Sequence, residues 1–266
     1  MDGVILYDKP AGVTSHDVVA RVRRSHDRIR TGHAGTLDPF ATGLLLVLLG
    51  RATRAQQFLM GLPKSYETVA RLGATSTTGD PEGEITETGR VPPDPPALPT
   101  GVVRQRPPAY SAIKIDGERA YARARRGEAV EMPEREVTVT RFEQLWRRGD
   151  TAGFAIDCSS GTYVRSLILE LGDAYCLELR RTAIGPFHVA DADPERIVPL
   201  GDVLARVLPS LHLDPESARR AGHGAPVPGE IPGGGEHVLL TDDQGPIAVA
   251  VPRDGGLLKP TVGFRA

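Results

Sequence analysis

Gly-His-Ala-Gly-Thr-Leu-Asp-Pro-Phe-Ala-Thr-Gly, residues 32–43, lies directly before an apolar run at 44–49 that is short enough for a buried strand. Its three glycines can take positive φ or let the backbone approach a ligand closely. Pro39 favours extended geometry at Asp38, the residue before it. The stretch therefore predicts a stiff glycine-rich loop over 31–43 that holds one carboxylate, Asp38, beside a rigid element. An ordinary Asp-Pro turn is the alternative, whereas a P-loop is excluded because no Gly-Lys-Ser/Thr follows.

The segment before this loop predicts a strand followed by a helix. Residues 4–7 are apolar, as in a short strand, and Lys9-Pro10 would end it. Thr14 is a suitable N-cap residue for the helix that follows. The apolar side of this helix would carry Val18, Val19, Val22 and Ile29, and its exposed side Arg21, Arg23, Arg24, Arg28 and Arg30.

The segments after the loop continue a mixed pattern of strands and helices. Apolar residues alternate at 137–139 and 154–158, and 65–72 also reads as a strand. Residues 75–83 have the composition of a turn, and the proline-rich stretch 91–108 is expected to cross the surface. Helices are predicted at 162–171, with Thr162 as the cap, and at 200–208.

The composition is that of an ordinary folded protein, which we expect in the cytoplasm. The chain has 266 residues, of which 40% are hydrophobic and 25% charged, and its formal net charge is −2. No apolar run is long enough to cross a membrane, and the N-terminus lacks the pattern of a signal peptide. Two cysteines alone supply neither a structural zinc site nor a disulfide framework. The local distribution of charge is therefore more informative than its sum.

The chain is predicted to divide into two units. A boundary is expected near 209–214, so that 1–210 forms the larger domain and 211–266 a small all-β module. Short alternating stretches near 238–240, 247–251 and 257–264 predict the strands of this module. A core of this size supplies only a few kcal/mol. The module is therefore expected to lean on the larger domain.

Two further residues are candidates for binding or catalysis. Arg165 follows Ser159-Ser160-Gly161-Thr162-Tyr163-Val164 at the start of a predicted helix, where a cation opposes the helix dipole. This favours an anionic partner, although a surface arginine is the alternative. Tyr66 begins a predicted strand, where its ring could stack on a base, or could simply fill the core or its rim.

Basic residues alternate with tyrosines in a third region. Tyr110-Ser111-Ala112-Ile113-Lys114 is followed by Arg119-Ala120-Tyr121 and by Arg123, Arg125 and Arg126. This composition suits RNA, and a solvated helix face is the alternative.

The ordered motifs resemble the TruB family of tRNA pseudouridine synthases over residues 3–208. The matching motifs are Asp-Lys-Pro-Ala-Gly-Val-Thr-Ser at 8–15, the stretch 32–43, Tyr-Ser-Ala-Ile-Lys at 110–114, Gly-Thr-Tyr-Val-Arg at 161–165 and Leu-Arg-Arg at 179–181. The resemblance implies an α+β pseudouridine-synthase fold with a mixed, mainly antiparallel central sheet and flanking helices. The small C-terminal module, 211–266, would be PUA-like and would bind RNA, because its placement is similar to that of the small RNA-binding domain of bacterial members.

The resemblance also implies a reaction and a partner. Uridine 55 in the T-loop of tRNA would be flipped out, cleaved at its glycosidic bond and reattached through C5. No cofactor and no metal would be needed. We expect a monomer that acts on the T-arm of tRNA without an obligate protein partner.

Residue by residue, the resemblance implies the following roles. Asp38 would be the catalytic carboxylate, attacking the sugar or removing a sugar proton. Arg165 would be its ion-pair partner, and Tyr66 would stack on the target base. The substrate-binding residues would be His33, near the vacated base stack, and Tyr163 and Leu179, as walls of the uracil pocket.

Two segments, 92–105 and 172–179, are shorter than the family pattern. The second of them affects the expected position of Leu179.

Two other functions remain open. A guide-RNA-dependent dyskerin-like subunit shares the catalytic core, but the lack of terminal extensions favours a stand-alone enzyme. A non-catalytic RNA chaperone is the second alternative, and the presence of Asp38, Tyr66 and Arg165 argues against it.

Overall fold

The computed structural model describes residues 2–108, 114–115, 118–120, 123, 126, 128 and 132–265. Most of the motif at 110–114, together with Tyr121 and Arg125, lies outside the described residues.

Alternating apolar residues form most of the strands. The strands are β1 (Gly3–Lys9), β2 (Thr31–Ala34), β3 (Thr42–Leu49), β4 (Lys64–Leu72), β5 (Ala74–Ser76), β6 (Ile85–Glu87), β7 (Gly101–Gln105), β8 (Lys114–Ile115), β9 (Glu118–Arg119), β10 (Arg135–Arg148), β11 (Thr151–Cys158), β12 (Ala174–Ile184), β13 (Phe187–His188), β14 (Val198–Pro199), β15 (Ser210–His212), β16 (Val227–Pro228), β17 (Val238–Asp242), β18 (Gly245–Arg253) and β19 (Leu257–Gly263). The helices are α1 (Ser15–Ser25), α2 (Gln56–Met60), α3 (Val164–Leu169), α4 (Leu200–Ala205) and α5 (Pro215–Gly222), with 3-10 turns at Gly50–Ala55 and Val189–Asp191.

Within the described residues, a ten-stranded sheet runs in the order β14-β1-β3-β12-β4-β11-β10-β7, with β2 added to β3 and β13 to β12. β3 and β12 are parallel, and the other described pairs of this sheet are antiparallel. This confirms the α+β class with a mixed, mainly antiparallel central sheet. β12 joins the part of the sheet that begins the chain to the part formed by β4, β11 and β10.

Helix α1 begins as predicted and ends early. Thr14 caps it with a full capping box that includes Asp17, and Val18 and Val22 are buried. Asp27 and Arg28 have φ of 47° and 55°, in the left-handed region where a right-handed helix cannot continue. Ile29, Arg28 and Arg30 therefore lie beyond the helix, and their predicted places on its faces were wrong.

Two other local predictions were wrong. The glycine-rich loop was expected over 31–43, but 31–34 is strand β2, whose residues pair with the end of β3. Thr162 was expected to cap a helix over 162–171, but α3 begins at Val164 with Tyr163 in the N-cap position and no side-chain cap. The Thr162 hydroxyl donates instead to the Ser159 carbonyl at 3.0 Å, which closes the turn before the helix.

The C-terminal module is a five-stranded sheet, β15-β17-β18-β19-β16, with α5 packed beside it. The three main strands were predicted, and the helix was not. Leu239, Val249 and Phe264 of this module belong to the same buried cluster as Leu46 and Leu48 of β3. The module therefore leans on the larger part of the chain, and the division at residue 210 stays a prediction.

Candidate active site

The backbone around Asp38 is held by side chains from the N-terminal segment. The fully buried Lys9 donates from Nζ to the Pro39 carbonyl at 3.2 Å and to the Val13 carbonyl at 2.8 Å. Burial lowers the pKa of Lys9 to about 8. The Ser15 hydroxyl accepts from the Leu37 amide at 2.9 Å. Asp38 therefore lies between two anchored residues, which limits its movement relative to the sheet.

The structure brings Arg165 to Asp38. The Arg165 side chain is 2% exposed, and its Nε lies 3.0 Å from Oδ2 of Asp38. Its Nη1 lies 2.8 Å from Oδ2 of Asp80 and donates to the Thr78 carbonyl at 2.8 Å. One buried guanidinium thus joins two carboxylates from separate loops.

Asp80 is a site residue that the sequence analysis missed. It is 4% exposed, and its Oδ1 accepts from the Thr78 hydroxyl at 2.5 Å and from the Glu82 amide at 3.1 Å. These bonds fix the carboxylate beneath Arg165. The segment 75–83 was interpreted as a turn, which is correct for the backbone of 77–83, whereas residues 75 and 76 belong to strand β5. An acid in a turn carries no sign of a distant arginine, so the sequence offered no signal for this contact.

Burial and neighbouring charges act in opposite directions on Asp38. Burial raises the pKa of the Asp38 carboxyl, and the Arg165 guanidinium opposes that rise. The nearby Asp80 carboxylate raises the pKa further, and Lys9 lowers it. The Asp38 side chain nevertheless remains 27% exposed, so its carboxylate can reach a bound molecule.

Asp38 opens into a pocket of about 290 Å³. Its walls include four other predicted site residues, Tyr66, Tyr163, Arg165 and Leu179, and also Arg181. Leu179 thus reaches the pocket although the segment before it is short. The pocket can enclose one planar group beside a carboxyl group, which is the arrangement a reaction on a single base requires.

The aromatic residues occupy different places. Tyr66 is 9% exposed; burial raises the pKa of its hydroxyl, and the charge of the nearby Arg181 guanidinium opposes that rise. The Tyr163 ring lies under the guanidinium of Arg135, 4.9 Å from its centre. His33 lies on β2 with its ring edge-on to His16 at 5.5 Å. His33 is not in the wall of the pocket, so its predicted role stays a prediction.

Neither a metal site nor a membrane span is found in the described part of the chain. Among the described residues, no group of three or more His, Cys, Asp and Glu side chains could hold a metal ion. None of the described helices is long and apolar enough to cross a membrane.

Comparisons with known proteins agree on one family. A family model described as "TruB family pseudouridylate synthase (N terminal domain)" matches residues 23–164. The tRNA pseudouridine synthase B of Thermobifida fusca is 43% identical, with 99% of this chain and 98% of that protein covered. The protein of the same name from Corynebacterium aurimucosum is 42% identical, with 84% and 83% covered.

The comparisons also bear on chain length and fold. The alignment with the Thermobifida fusca protein spans 295 positions, more than the 266 residues of this chain, so some residues of that relative have no counterpart here. A solved structure titled "Crystal Structure of a Cbf5-Nop10-Gar1 Complex" contains a chain with a TM-score of 0.72 and 26% identity, with 98% of this chain and 84% of that chain covered.

Proposed function

Because the chain belongs to the TruB family of pseudouridylate synthases, we propose that it converts uridine 55 in the T-loop of tRNA to pseudouridine, with Asp38 as the acting carboxylate. Isomerisation of uridine in tRNA is the activity that its relatives' names share, and the chain is an isomerase of this kind. The observation that carries the proposal is the Asp38 carboxylate, which lies in the pocket wall 3.0 Å from a buried arginine.

The position of Asp38 suits chemistry on the sugar of a bound uridine. The carboxylate can attack C1′ or remove a sugar proton, and in either case it must be ionised. Arg165 stabilises this ionised form against the effect of burial. After the glycosidic bond between N1 and C1′ breaks, the freed uracil turns in the pocket and C5 bonds to C1′. C5 then loses its proton and N1 gains one, so that the product is an isomer of uridine.

The uridine has to leave its base stack before Asp38 can reach it. Extruding a base costs a few kcal/mol, and an aromatic ring can return about 1–3 kcal/mol by stacking. Tyr66 supplies such a ring in the pocket wall, while Tyr163 and Leu179 enclose the space beside it. These three residues are proposed to hold the flipped base against Asp38.

A guide-RNA-dependent reaction is the second candidate. The solved structures of similar fold include Cbf5 in a complex with Nop10 and Gar1, and the dyskerin-like alternative belongs to this class. The curated relatives at 42–46% identity are named tRNA pseudouridine synthase B, which favours direct action on tRNA. We therefore propose a monomer that works in the cytoplasm on tRNA without cofactor, guide RNA or protein partner.

Release of tritium from uridine labelled at C5 tests both candidates. The purified chain is incubated with a labelled tRNA transcript and no other RNA or protein. We expect one equivalent of tritium per transcript, and none from a transcript that has cytidine at position 55. Activity that requires a guide RNA, or release that is unchanged by the cytidine, would contradict the proposal.

A further inference from the structure

Arg181 is a buried cation in the wall of the active-site pocket. Its side chain is 1% exposed. Among the described residues, no carboxylate lies within 4.0 Å of its guanidinium. A buried charge without an opposite charge is costly unless hydrogen bonds satisfy it. The partners of this guanidinium therefore indicate why an arginine is present.

Three of those partners are carbonyl oxygens beside the Asp38 loop. Nε of Arg181 donates to Leu44 at 2.7 Å, Nη2 to Gly35 at 3.0 Å and Nη1 to Thr36 at 3.4 Å. Gly35 and Thr36 precede Asp38, and Leu44 follows it on β3. The guanidinium thus holds both ends of the segment that carries the carboxylate.

The Tyr66 hydroxyl is a further neighbour of this guanidinium. Arg181 and Tyr66 face each other across the pairing of β12 with β4, and both line the pocket. The same guanidinium therefore adjoins the ring proposed to stack on the base and is hydrogen-bonded to the loop proposed to act on the sugar.

We propose that Arg181 is a positioning residue, which holds the backbone on both sides of Asp38 in one hydrogen-bond network and sets the position of the neighbouring Tyr66 hydroxyl relative to it. This inference rests on the proposed function, because it gives Arg181 a task in that reaction. A planar guanidinium with several donors can bond the three carbonyl oxygens at once, whereas an ammonium group cannot span them. The network keeps the stacked base and the carboxylate in register during the chemical step.

Arg180 provides a matched control on the same strand. It is half-exposed and forms a two-pronged ion pair with Asp8, at 3.0 and 2.7 Å. Its Nη1 also donates to the Thr42 hydroxyl at 3.4 Å, at the start of β3. Among its described hydrogen bonds and ion pairs none involves Tyr66 or residues 35–38, and it does not line the pocket. Loss of either arginine removes one positive charge from β12, but of the two Arg181 alone lines the pocket.

The test compares R181K, R181M, R180K and R180M in single-turnover tritium release, tRNA binding and melting temperature. We expect R181M and R181K to lose about 10- to 100-fold in single-turnover rate, as charge-assisted hydrogen bonds are lost. Their tRNA Kd should change less than about 3-fold, and the R180 variants should match the wild type. R181K serves as the measurement if R181M does not fold. Equal rates for R181K and R180K would overturn the proposal.

A double-mutant cycle with Y66F tests the link to the tyrosine. If Arg181 acts in part through the Tyr66 hydroxyl, R181K will cost less in the Y66F background than in the wild type. Rate losses that simply multiply would overturn the coupling. The wild-type measurement distinguishes failure of this inference from failure of the proposed function. Absence of tritium release by the wild-type enzyme would contradict the proposed function itself.

Discussion

Asp38 is the residue whose ionisation is affected by all the charged groups around it in the site. Burial and Asp80 favour its protonated form, and Arg165 favours its ionised form. Because the pair with Arg165 is within 3.0 Å and Arg165 is itself buried, this interaction is weakly screened by solvent. The charge of Asp38 is therefore set by its neighbours and is sensitive to their removal.

Asp38→Asn should abolish pseudouridine formation and leave tRNA binding within about 3-fold of the wild type. An amide has a similar shape but can neither attack the sugar nor act as a base. Tritium release and a filter-binding titration of the same preparation check this. Turnover close to that of the wild type would remove Asp38 from its proposed role.

The pH dependence of kcat/KM should have an acidic limb above the ordinary aspartate value of 3.8, because the pKa of Asp38 is raised. Activity should fall as the pH drops through that raised pKa, since the ionised form reacts. The stability contribution has the opposite sign: protonation relieves the cost of a buried charge, so this group should favour the folded state as the pH falls. Asp80→Asn should move the limb to lower pH, and a limb that moves upward or stays in place would contradict the assignment.

Tyr66→Phe and Tyr66→Ala should differ. Phenylalanine keeps the face for stacking, so Y66F should bind the flipped base, whereas Y66A should lose roughly 1–3 kcal/mol of stacking. If the hydroxyl also assists at C5, Y66F will cleave the glycosidic bond and stall before product. Single-turnover rates and melting temperatures of both variants measure this. Lower melting temperatures with unchanged turnover per folded molecule would make Tyr66 a scaffold residue only.

At the level of elements, the parallel contact between β3 and β12 brings the Asp38 loop to the strand that carries Leu179 and Arg181. Arg181 pairs with Gly43 in this contact. Gly43 has a φ of 104°, and a Cβ there would lie 2.2 Å from the Arg181 carbonyl oxygen. The two strands can approach this closely only because residue 43 has no side chain.

Gly43→Ala should therefore destabilise the fold by about 3 kcal/mol or more, from a backbone clash added to left-handed strain. Gly12→Ala is the control: Gly12 has a φ of 78° and no heavy atom within 4 Å of the added Cβ, so strain alone should cost about 1 kcal/mol. Urea denaturation of both variants gives the comparison. Equal losses would show that the close approach at Gly43 is not required.

The elements differ in how far the sequence could predict them. β3 and β4 were predicted because apolar runs and alternation depend on local burial. β2 was missed because its glycine-containing sequence resembles a loop, and only pairing with β3 makes it a strand. Asp38 was found through its own motif, but Asp80 and Arg181 act through partners far away in the chain. Their roles depend on tertiary contacts that no local pattern encodes.

For the whole molecule, the net charge is small, but the charged residues are unevenly distributed along the chain. Five exposed arginines, Arg21, Arg23, Arg24, Arg28 and Arg30, lie within residues 21–30, which contain one acid, Asp27. The second predicted cluster is weaker than its sequence indicated, because Arg123 and Arg126 both pair with Glu128, at 3.0 and 2.7 Å. The first cluster is therefore the better candidate for contact with the RNA backbone.

The affinity for tRNA should fall steeply with salt, because each phosphate contact releases counterions. Replacing Arg23 and Arg24 by glutamine should reduce the slope of log K against log salt by roughly 1–2. Arg141→Gln is the control, since Arg141 already pairs with Glu143 at 2.5 Å. Binding titrations between low and physiological salt measure the slopes. A wild-type affinity independent of salt would show that these arginines are only solvated.

The central position of β12 in the sheet determines when the nascent chain can complete its fold. Its neighbours β3 and β4 are synthesised long before it, and within the described sheet β12 is the strand that connects them. On the ribosome, the two halves of the sheet must therefore wait for the residues up to Ile184 before they can join. Contacts between such distant parts of a chain form slowly, and the unjoined halves leave strand edges open to other chains. We expect nascent chains to need protection from aggregation until β12 emerges, and to gain activity only after it has inserted.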